Sequence, residues 1–410
     1  MPPWEALNMR GSFEFDVCVI GGAGHVGLPL SIAFADKGLK VVIQDINQSV
    51  FALIESGKMP FLDKGAEPVL QRVINKTLFA TTDPAAAGKA QFVIVVIGTP
   101  VDGHLNPELR TLTRLCEELG PNLRGEQVVI LRSTLYPGTT ERFRGILKKF
   151  NPAVEVCFCP ERIAQGKALE ELHSLPQIVS GFEPKALEMA SNLFKHLTQD
   201  VVALAPLEAE LTKLFTNSYR YIQFAIANQF YMIAGDYGVD FHRIYEAMTH
   251  NYPRLADFPR PGFASGPCLF KDTMQLSAFT NNKFFLGHGA MLINEGLPNF
   301  LVEQTKKRMR LRDLKAGILG MTFKADSDDK RDSLSYRLRK VLEMEAGSVL
   351  CSDAYIHETG FVGEAELIQQ SDVVFIGAPH ARYKTLDYGN KPVVDVWDFL
   401  PFPTLLRSPA

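Results

Sequence analysis

The stretch that decides the fold is "FDVCVIGGAGHVGLPLSIAFADKG", residues 15–38. It opens as a short, β-rich apolar run. Gly22, Gly24 and Gly27 then give the spacing G-x-G-x-x-G, and the residues after them read as a helix. "LKVVIQD" (39–45) reads as the next strand and ends on Asp45, eighteen residues beyond the last glycine. A dinucleotide site requires this order of elements. Small residues let the backbone approach a pyrophosphate at a helix N-terminus, and an acid at the end of the second strand accepts hydrogen bonds from the adenine ribose. The negative charge of Asp45 repels a 2′-phosphate, so NAD is expected rather than NADP. The competing reading is a tight turn followed by a solvated strand-end acid. An extra Gly21 before the motif predicts a small shift of the turn without loss of function.

Working outward, "AQFVIVVIGTP" (90–100), "EQVVILRST" (126–134) and "VEVCFCPE" (154–161) are further strand-like runs. Apolar strands alternating with helical stretches indicate a parallel sheet covered on both faces. The pattern changes after about residue 205. "PLEAELTKLFTNSYRYIQFAIANQFYMIAGDYG" (206–238) carries apolar residues at helical spacing and reads as one helix of roughly thirty residues, a linking or dimer-forming element. Alternation returns in "KAGILGMTF" (315–323), "SVLCSD" (348–353), "SDVVFIGAP" (371–379) and "KPVVDVWD" (391–398). The expected fold class is α/β: two Rossmann-like, doubly wound parallel-sheet domains joined by a long central helix and a helical middle domain. The boundaries expected are 13–203, 204–310 and 311–405.

Composition bounds the function. The chain has 410 residues, 46% hydrophobic and 22% charged, with a formal net charge of -3, which describes a globular protein of two or three domains. No dense Lys/Arg block is present, which argues against nucleic acid or an anionic membrane as partner. The longest apolar run, "FVIVVIG" (92–98), is too short to span a bilayer, and the first residues lack the pattern of a signal peptide. Cys18, Cys116, Cys157, Cys159, Cys268 and Cys351 include no C-x-x-C pair and no His at metal-finger spacing. A structural metal or a disulfide framework is therefore not expected, and a reducing cytoplasm is.

One cysteine stands apart. Cys18, Cys157, Cys159 and Cys351 lie in or beside apolar runs and read as small hydrophobes. Cys268 follows the irregular "GFASGP" and opens the helical-looking "LFKDTMQLSAF", with Asp272 one turn on. A thiol at a helix N-terminus has an enlarged thiolate fraction. Spacing alone leaves nucleophile and packing residue equally open. NAD together with a nucleophilic thiolate would fit an oxidation that passes from alcohol through aldehyde and thioester to an acid.

Here the chain resembles a known family. "GAGHVGLP", "GTP" (98–100), "STLYPGTT" (133–140), "CPERIAQG" (159–166), "ELTKLFTNSYR" (210–220), "GFASGPCLFKD" (262–272) and "GMTFKADSDDKRDS" (320–333) are similar, in order, to motifs of the UDP-glucose/GDP-mannose dehydrogenases, the NAD-dependent nucleotide-sugar 6-dehydrogenases. The resemblance implies Cys268 as the thiol nucleophile. It implies Glu161, Lys213, Asn217 and Asp272 around the sugar and a water, with Glu161 and Asp272 the candidates for proton transfer and Lys213 stabilising developing negative charge. His25 and Val26 join the glycines and Asp45 at the cofactor, as do Thr99, Thr134 and Arg331. Arg162, Arg220, Arg254, Phe258, Arg260, Gly262, Phe263 and Lys324 are the further implied substrate contacts. The implied partners are a UDP-sugar and a second copy of the chain, paired through the long helix. The implied domains are NAD-binding (13–203), central and dimerising, carrying the cysteine (204–310), and UDP-sugar-binding (311–405).

The expected reaction is the four-electron oxidation of the C6 hydroxyl of a UDP-hexose, UDP-glucose or a UDP-N-acetylhexosamine, to the uronic acid, with two NADH formed. Departures bear on the details: the loop before Cys268 is one residue longer than the family's, and Gln165 stands where many members have Glu. Arg162 and Arg220 resemble the N-acetylhexosamine branch, whereas "CLFKD" resembles the UDP-glucose branch. The alternatives are a two-electron β-hydroxyacid-type dehydrogenase, which needs neither the cysteine nor the second α/β domain, and a non-catalytic NAD-binding protein. Without the resemblance, Lys213 and Asn217 would read as a solvated helix face, Lys324 to Arg331 as a surface charge run, and Glu161 as an ordinary strand-end acid.

Overall fold

The computed structural model describes residues 13–98 and 109–407, which fall into two compact units dividing after Leu214. The first is built on an eight-stranded sheet: β1 (Phe15–Ile20), β2 (Val41–Gln44), β3 (Leu78–Thr81), β4 (Ala90–Val95), β5 (Val128–Leu131), β6 (Glu155–Phe158), β7 (Gln177–Gly181) and β8 (Val201–Leu204). Their spatial order is β3-β2-β1-β4-β5-β6-β7-β8, and every neighbouring pair is parallel except β6–β7. The order reverses between β1 and β4, so the crevice outside their carboxyl ends is the topological switch point where such sheets bind ligands.

The central strands are mostly apolar because both of their faces are covered. Val17 and Val19 of β1 point into one core with Leu28, Phe34, Ile43 and Phe194, while Cys18 and Ile20 point into another with Val93, Leu131 and Phe143. Each fully buried side chain of this kind contributes roughly 1.5–3 kcal/mol. The sequence runs read as strands at 15–21, 39–45, 90–100, 126–134 and 154–161 all hold strands, shorter than the runs themselves.

The helix Pro206–Asp236 has 31 residues, about 46 Å at 1.5 Å per residue, and the boundary between the units falls within it. Its N-terminal end is tied down by Glu210, whose carboxylate accepts the Gly138 N–H (2.6 Å), the Thr140 N–H (2.8 Å) and the Thr140 hydroxyl (2.6 Å). Glu210 thus serves the otherwise unpaired N–H groups that open the helix Thr139–Phe150. Further along, Tyr221 and Ala225 are buried, whereas Phe215, Tyr219, Ile226, Phe230, Ile233 and Tyr237 are exposed.

The second unit continues with the helices Phe241–Thr249, Leu269–Phe279 and Phe285–Lys306, then a four-stranded parallel sheet. Its strands are β9 (Lys315–Leu319), β10 (Ser348–Ser352), β11 (Val373–Ile376) and β12 (Val393–Val394), in the order β10-β9-β11-β12. All four runs read from the sequence hold strands, each shorter than the run itself. No helix among the described residues is long and apolar enough to cross a membrane.

Candidate active site

In the first unit the candidate residues gather at the carboxyl ends of the strands. Gly22, Gly24, His25, Val26 and Gly27 join β1 to the helix Gly27–Asp36, and Asp45 follows β2. Thr134 lies beyond β5, and Glu161 and Arg162 beyond β6; Thr99, expected beyond β4, lies outside the described residues. The glycine turn is closed tightly on itself. A Cβ on Gly27 would stand 2.5 Å from the Gly22 Cα, and one on Gly22 would stand 2.7 Å from the Val19 carbonyl oxygen. Neither position admits a side chain. Asp45 braces the turn: one carboxylate oxygen accepts the Ala23 N–H at 3.0 Å and the other the Asn47 N–H at 2.9 Å. The His25 ring packs on Phe61 with centroids 4.1 Å apart.

Glu161 is more than an ordinary strand-end acid. It is 8% exposed and held by Arg132, which has no exposed surface at all. Arg132 donates from Nε to Glu161 Oε2 at 2.8 Å, and its Nη2 lies 2.6 Å from the same oxygen. The other carboxylate oxygen accepts the Arg162 and Ile163 N–H groups at 2.7 and 3.0 Å. Arg132 also reaches the Cys159 carbonyl and the Gln177 side chain and stacks over Phe194. The Arg162 side chain turns to the Pro176 carbonyl, and burial pulls its pKa down.

Lys213 and Asn217, one turn apart on the long helix, are 8% and 5% exposed, so the reading as a solvated helix face is wrong; Arg220, three residues on, is exposed. In the second unit Asn217 Nδ2 donates to Asp272 Oδ2 at 2.6 Å, and Asp272 is wholly buried. Asp272 sits in the first turn of the helix Leu269–Phe279, where its N–H donates to the Cys268 carbonyl at 2.9 Å. Cys268 occupies the position that caps this helix, as expected. It is the exposed cysteine; the other five are buried. Burial pushes the Cys18 and Cys159 thiols up to about 12, which suits packing and not chemistry.

The loop leading to Cys268 rests on the segment after β9. Ser265 Oγ donates to the Phe323 carbonyl at 3.1 Å, the Gly266 N–H donates to the Asp332 carbonyl at 3.1 Å, and a Cβ on Gly266 would strike the Phe323 ring at 2.4 Å. Arg331 belongs to this segment. Its fork grips Asp329, whose hydrogen bonds raise its pKa, with Cys268 a further, smaller electrostatic influence. Arg331, expected at the cofactor, therefore stands within electrostatic reach of the thiol. A cation so placed favours the thiolate form of a cysteine. Lys324 is half-buried over Phe323, and Arg254 is exposed against Tyr252. Phe258 packs on Phe230 and Tyr245, and Gly262 and Phe263 are buried.

Sequence reading missed Arg132, Asp329 and the anchoring part played by Glu210. The one local signal was a charge, Arg132, directly after the apolar run "VVIL". A charged residue there must find a buried partner or leave the sheet.

An α/β protein whose glycine turn admits no side chain at Gly22 or Gly27, with a helix-capping thiol beside a buried Asn–Asp pair later in the chain, has the parts of an NAD-linked oxidoreductase. The chain belongs to the UDP-glucose/GDP-mannose dehydrogenase family. It matches that family's NAD binding domain over residues 15–198, its central domain over 207–294 and its UDP binding domain over 317–401. It is 30% identical over 379 residues to a UDP-N-acetyl-D-mannosamine dehydrogenase of Methanocaldococcus jannaschii, covering 90% of this chain and 87% of that one. The solved structure of a UDP-D-ManNAc dehydrogenase from Pyrococcus horikoshii superposes with a TM-score of 0.87 at 26% identity, covering 95% and 97% of the two chains. A UDP-glucose dehydrogenase from Pyrobaculum islandicum shares the fold at a TM-score of 0.87, with 24% identity over 95% and 96%. The chain is thus an NAD-dependent nucleotide-sugar dehydrogenase acting on CH–OH groups, and its UDP binding domain makes a UDP-sugar the substrate class.

Asp45 gives the first test. Asp45→Ala removes the brace on Ala23 and the acceptor expected for the adenine ribose, so KM for NAD should rise at least about tenfold. Loss of the charge should narrow the preference for NAD over NADP. Steady-state kinetics with both cofactors checks this, and an unchanged cofactor ratio would show that Asp45 only braces the turn.

Proposed function

We propose that this chain oxidises the C6 hydroxyl of UDP-N-acetyl-D-mannosamine to the uronic acid in two successive NAD-linked steps, through a thioester on Cys268. The observation that carries the chemistry is the exposed Cys268 at the head of the helix that bears the buried Asp272–Asn217 pair. The choice of sugar rests on the relatives matched along nearly the whole chain. NAD, when bound, supplies the hydride acceptor for both oxidations. The residues proposed to hold it are the glycine turn with His25 and Val26, together with Asp45, Thr99, Thr134 and Arg331.

In the first oxidation C6 loses a hydride and its hydroxyl a proton, giving the aldehyde. The Cys268 thiolate adds to the aldehyde carbon. Loss of a second hydride from that adduct leaves a thioester, which water hydrolyses to the carboxylate and free thiol. Lys213 stabilises the oxyanion that develops at each stage. Asp272, oriented by Asn217, takes the proton from the attacking water. Glu161 accepts hydrogen bonds from the Arg132 fork and two backbone N–H groups, so its part is that of a fixed anion that orients the sugar. Arg331 supports the thiolate, and Arg254, Arg260 and Lys324 are the cations proposed for the nucleotide sugar, with Arg162, Arg220, Phe258, Gly262 and Phe263 as further contacts.

Domain limits of 13–203, 204–310 and 311–405 are part of the same reading. So is a homodimer paired along the exposed apolar row from Phe215 to Tyr237. The free thiols favour a reducing compartment, the cytoplasm.

The test is NADH formed per sugar consumed, with UDP-glucose, UDP-N-acetylglucosamine and UDP-N-acetylmannosamine offered separately. About two NADH per sugar are expected for UDP-N-acetylmannosamine, with an acid as product. One NADH per turnover would replace this reading with a two-electron dehydrogenase.

A further inference from the structure

The segment "DVWD", 395–398, has no part in the chemistry above, yet it meets the start of the cysteine loop at two places. Asp395 builds a stiff turn after β12. It is 3% exposed, and its carboxylate accepts the N–H groups of Trp397 (3.0 Å), Phe399 (2.7 Å) and Leu400 (2.9 Å). Asp398 rides on this turn in the left-handed region, at φ 53°. Trp397 fills the space over Gly262: a Cβ there would stand 2.0 Å from the indole ring. Phe263 meets the same indole edge-on, with centroids 6.1 Å apart.

Asp398 completes the contact. Its Oδ2 accepts from Arg260 Nη1 at 2.9 Å, and its Oδ1 lies 2.6 Å from Arg407 Nη2. His242 Nδ1 is 3.9 Å from Oδ2. On its other side the Arg260 guanidinium lies over the Tyr245 ring, 4.6 Å from the centroid, and the Tyr245 hydroxyl donates to the Phe258 carbonyl. Arg260 is 41% exposed, yet it is held between a carboxylate and an aromatic face. A long side chain fixed this way has already given up the rotamer freedom that binding would otherwise remove.

We propose that Asp398 is a positioning residue that fixes Arg260 for the phosphate or sugar oxygens of the nucleotide-sugar substrate. This rests on the reading of Arg260 as a substrate contact. The arrangement supplies orientation and not charge, since the carboxylate offsets part of the Arg260 cation. Its signature is therefore in substrate binding and not in turnover.

Asp398→Asn keeps the shape and an acceptor but loosens the pair. KM for the UDP-sugar should rise about tenfold, equivalent to about 1.4 kcal/mol, with kcat within twofold and KM for NAD unchanged. Arg407→Gln removes the other partner of the same carboxylate and should leave KM for the UDP-sugar unchanged. Once Arg260→Gln is in place, adding Asp398→Asn should raise KM no further. The proposal is overturned if Asp398→Asn leaves KM within twofold, if the two effects multiply, or if Arg407→Gln raises KM equally, which would make Asp398 a structural hub. Calorimetric titration of the unaltered protein with UDP separates this from the wider reading. No UDP binding overturns both, whereas UDP binding with an unaffected Asp398→Asn overturns the positioning role alone.

Discussion

Cys268→Ser should lower the rate of acid formation by at least about a thousandfold, about 4 kcal/mol of transition-state stabilisation, while leaving the melting temperature nearly unchanged. Cys268 is exposed, and an oxygen for sulfur at a helix N-terminus keeps a small polar side chain at the capping position, so stability should move by no more than about 0.5 kcal/mol. The chemical change is far larger. A serine hydroxyl is scarcely ionised at neutral pH, whereas a thiol is more acidic and intrinsically more nucleophilic, and a helix N-terminus and a cation within electrostatic reach both favour its thiolate form. The first oxidation needs no covalent partner, so the variant should make NADH toward one per sugar and accumulate aldehyde. Product analysis together with NADH counting checks this. Acid formation within tenfold of the unaltered enzyme would return Cys268 to the role of a loop residue.

How much of this was legible in the sequence differs from element to element. The run at 15–38 fixes a strand, a glycine turn and a helix, because each has its own local signature in apolar alternation, glycine spacing and periodicity. β3, β7 and β8 left no such trace. Leu78–Thr81 and Val201–Leu204 are four residues each, too short for their apolar character to stand out as a strand signal, and Val202 of β8 is 42% exposed at the sheet edge. Gln177–Gly181 follows Pro176 and pairs antiparallel to β6, against the parallel pattern of the rest. The site divides in the same way. Cys268 at a helix start is a local feature and was legible. The Asn217–Asp272 bond joins residues 55 apart in sequence, and the resemblance alone named them as a group. Arg132 with Glu161 is also long-range, and no motif marked Arg132.

That buried pair carries the largest expected effect on stability. Arg132→Met should destabilise the fold by about 3–5 kcal/mol, the usual cost of removing one partner from a buried ion pair. Methionine fills much of the volume and preserves contact with Phe194, so a cavity is not the main cause. What remains is the Glu161 carboxylate, 8% exposed and left with two backbone N–H donors, together with a Cys159 carbonyl and a Gln177 amide oxygen that have lost their donor. Arg132→Lys should recover little, because one ammonium cannot reproduce a planar fork that reaches three acceptor groups at once. The double variant Arg132→Met/Glu161→Gln should regain part of the loss, since no unpaired charge then stays buried. Urea unfolding of the four proteins checks this through the midpoint at constant m-value. A loss below about 1 kcal/mol for Arg132→Met would mean that water reaches Glu161 in solution, and the view of that carboxylate as a fixed anion would fall with it.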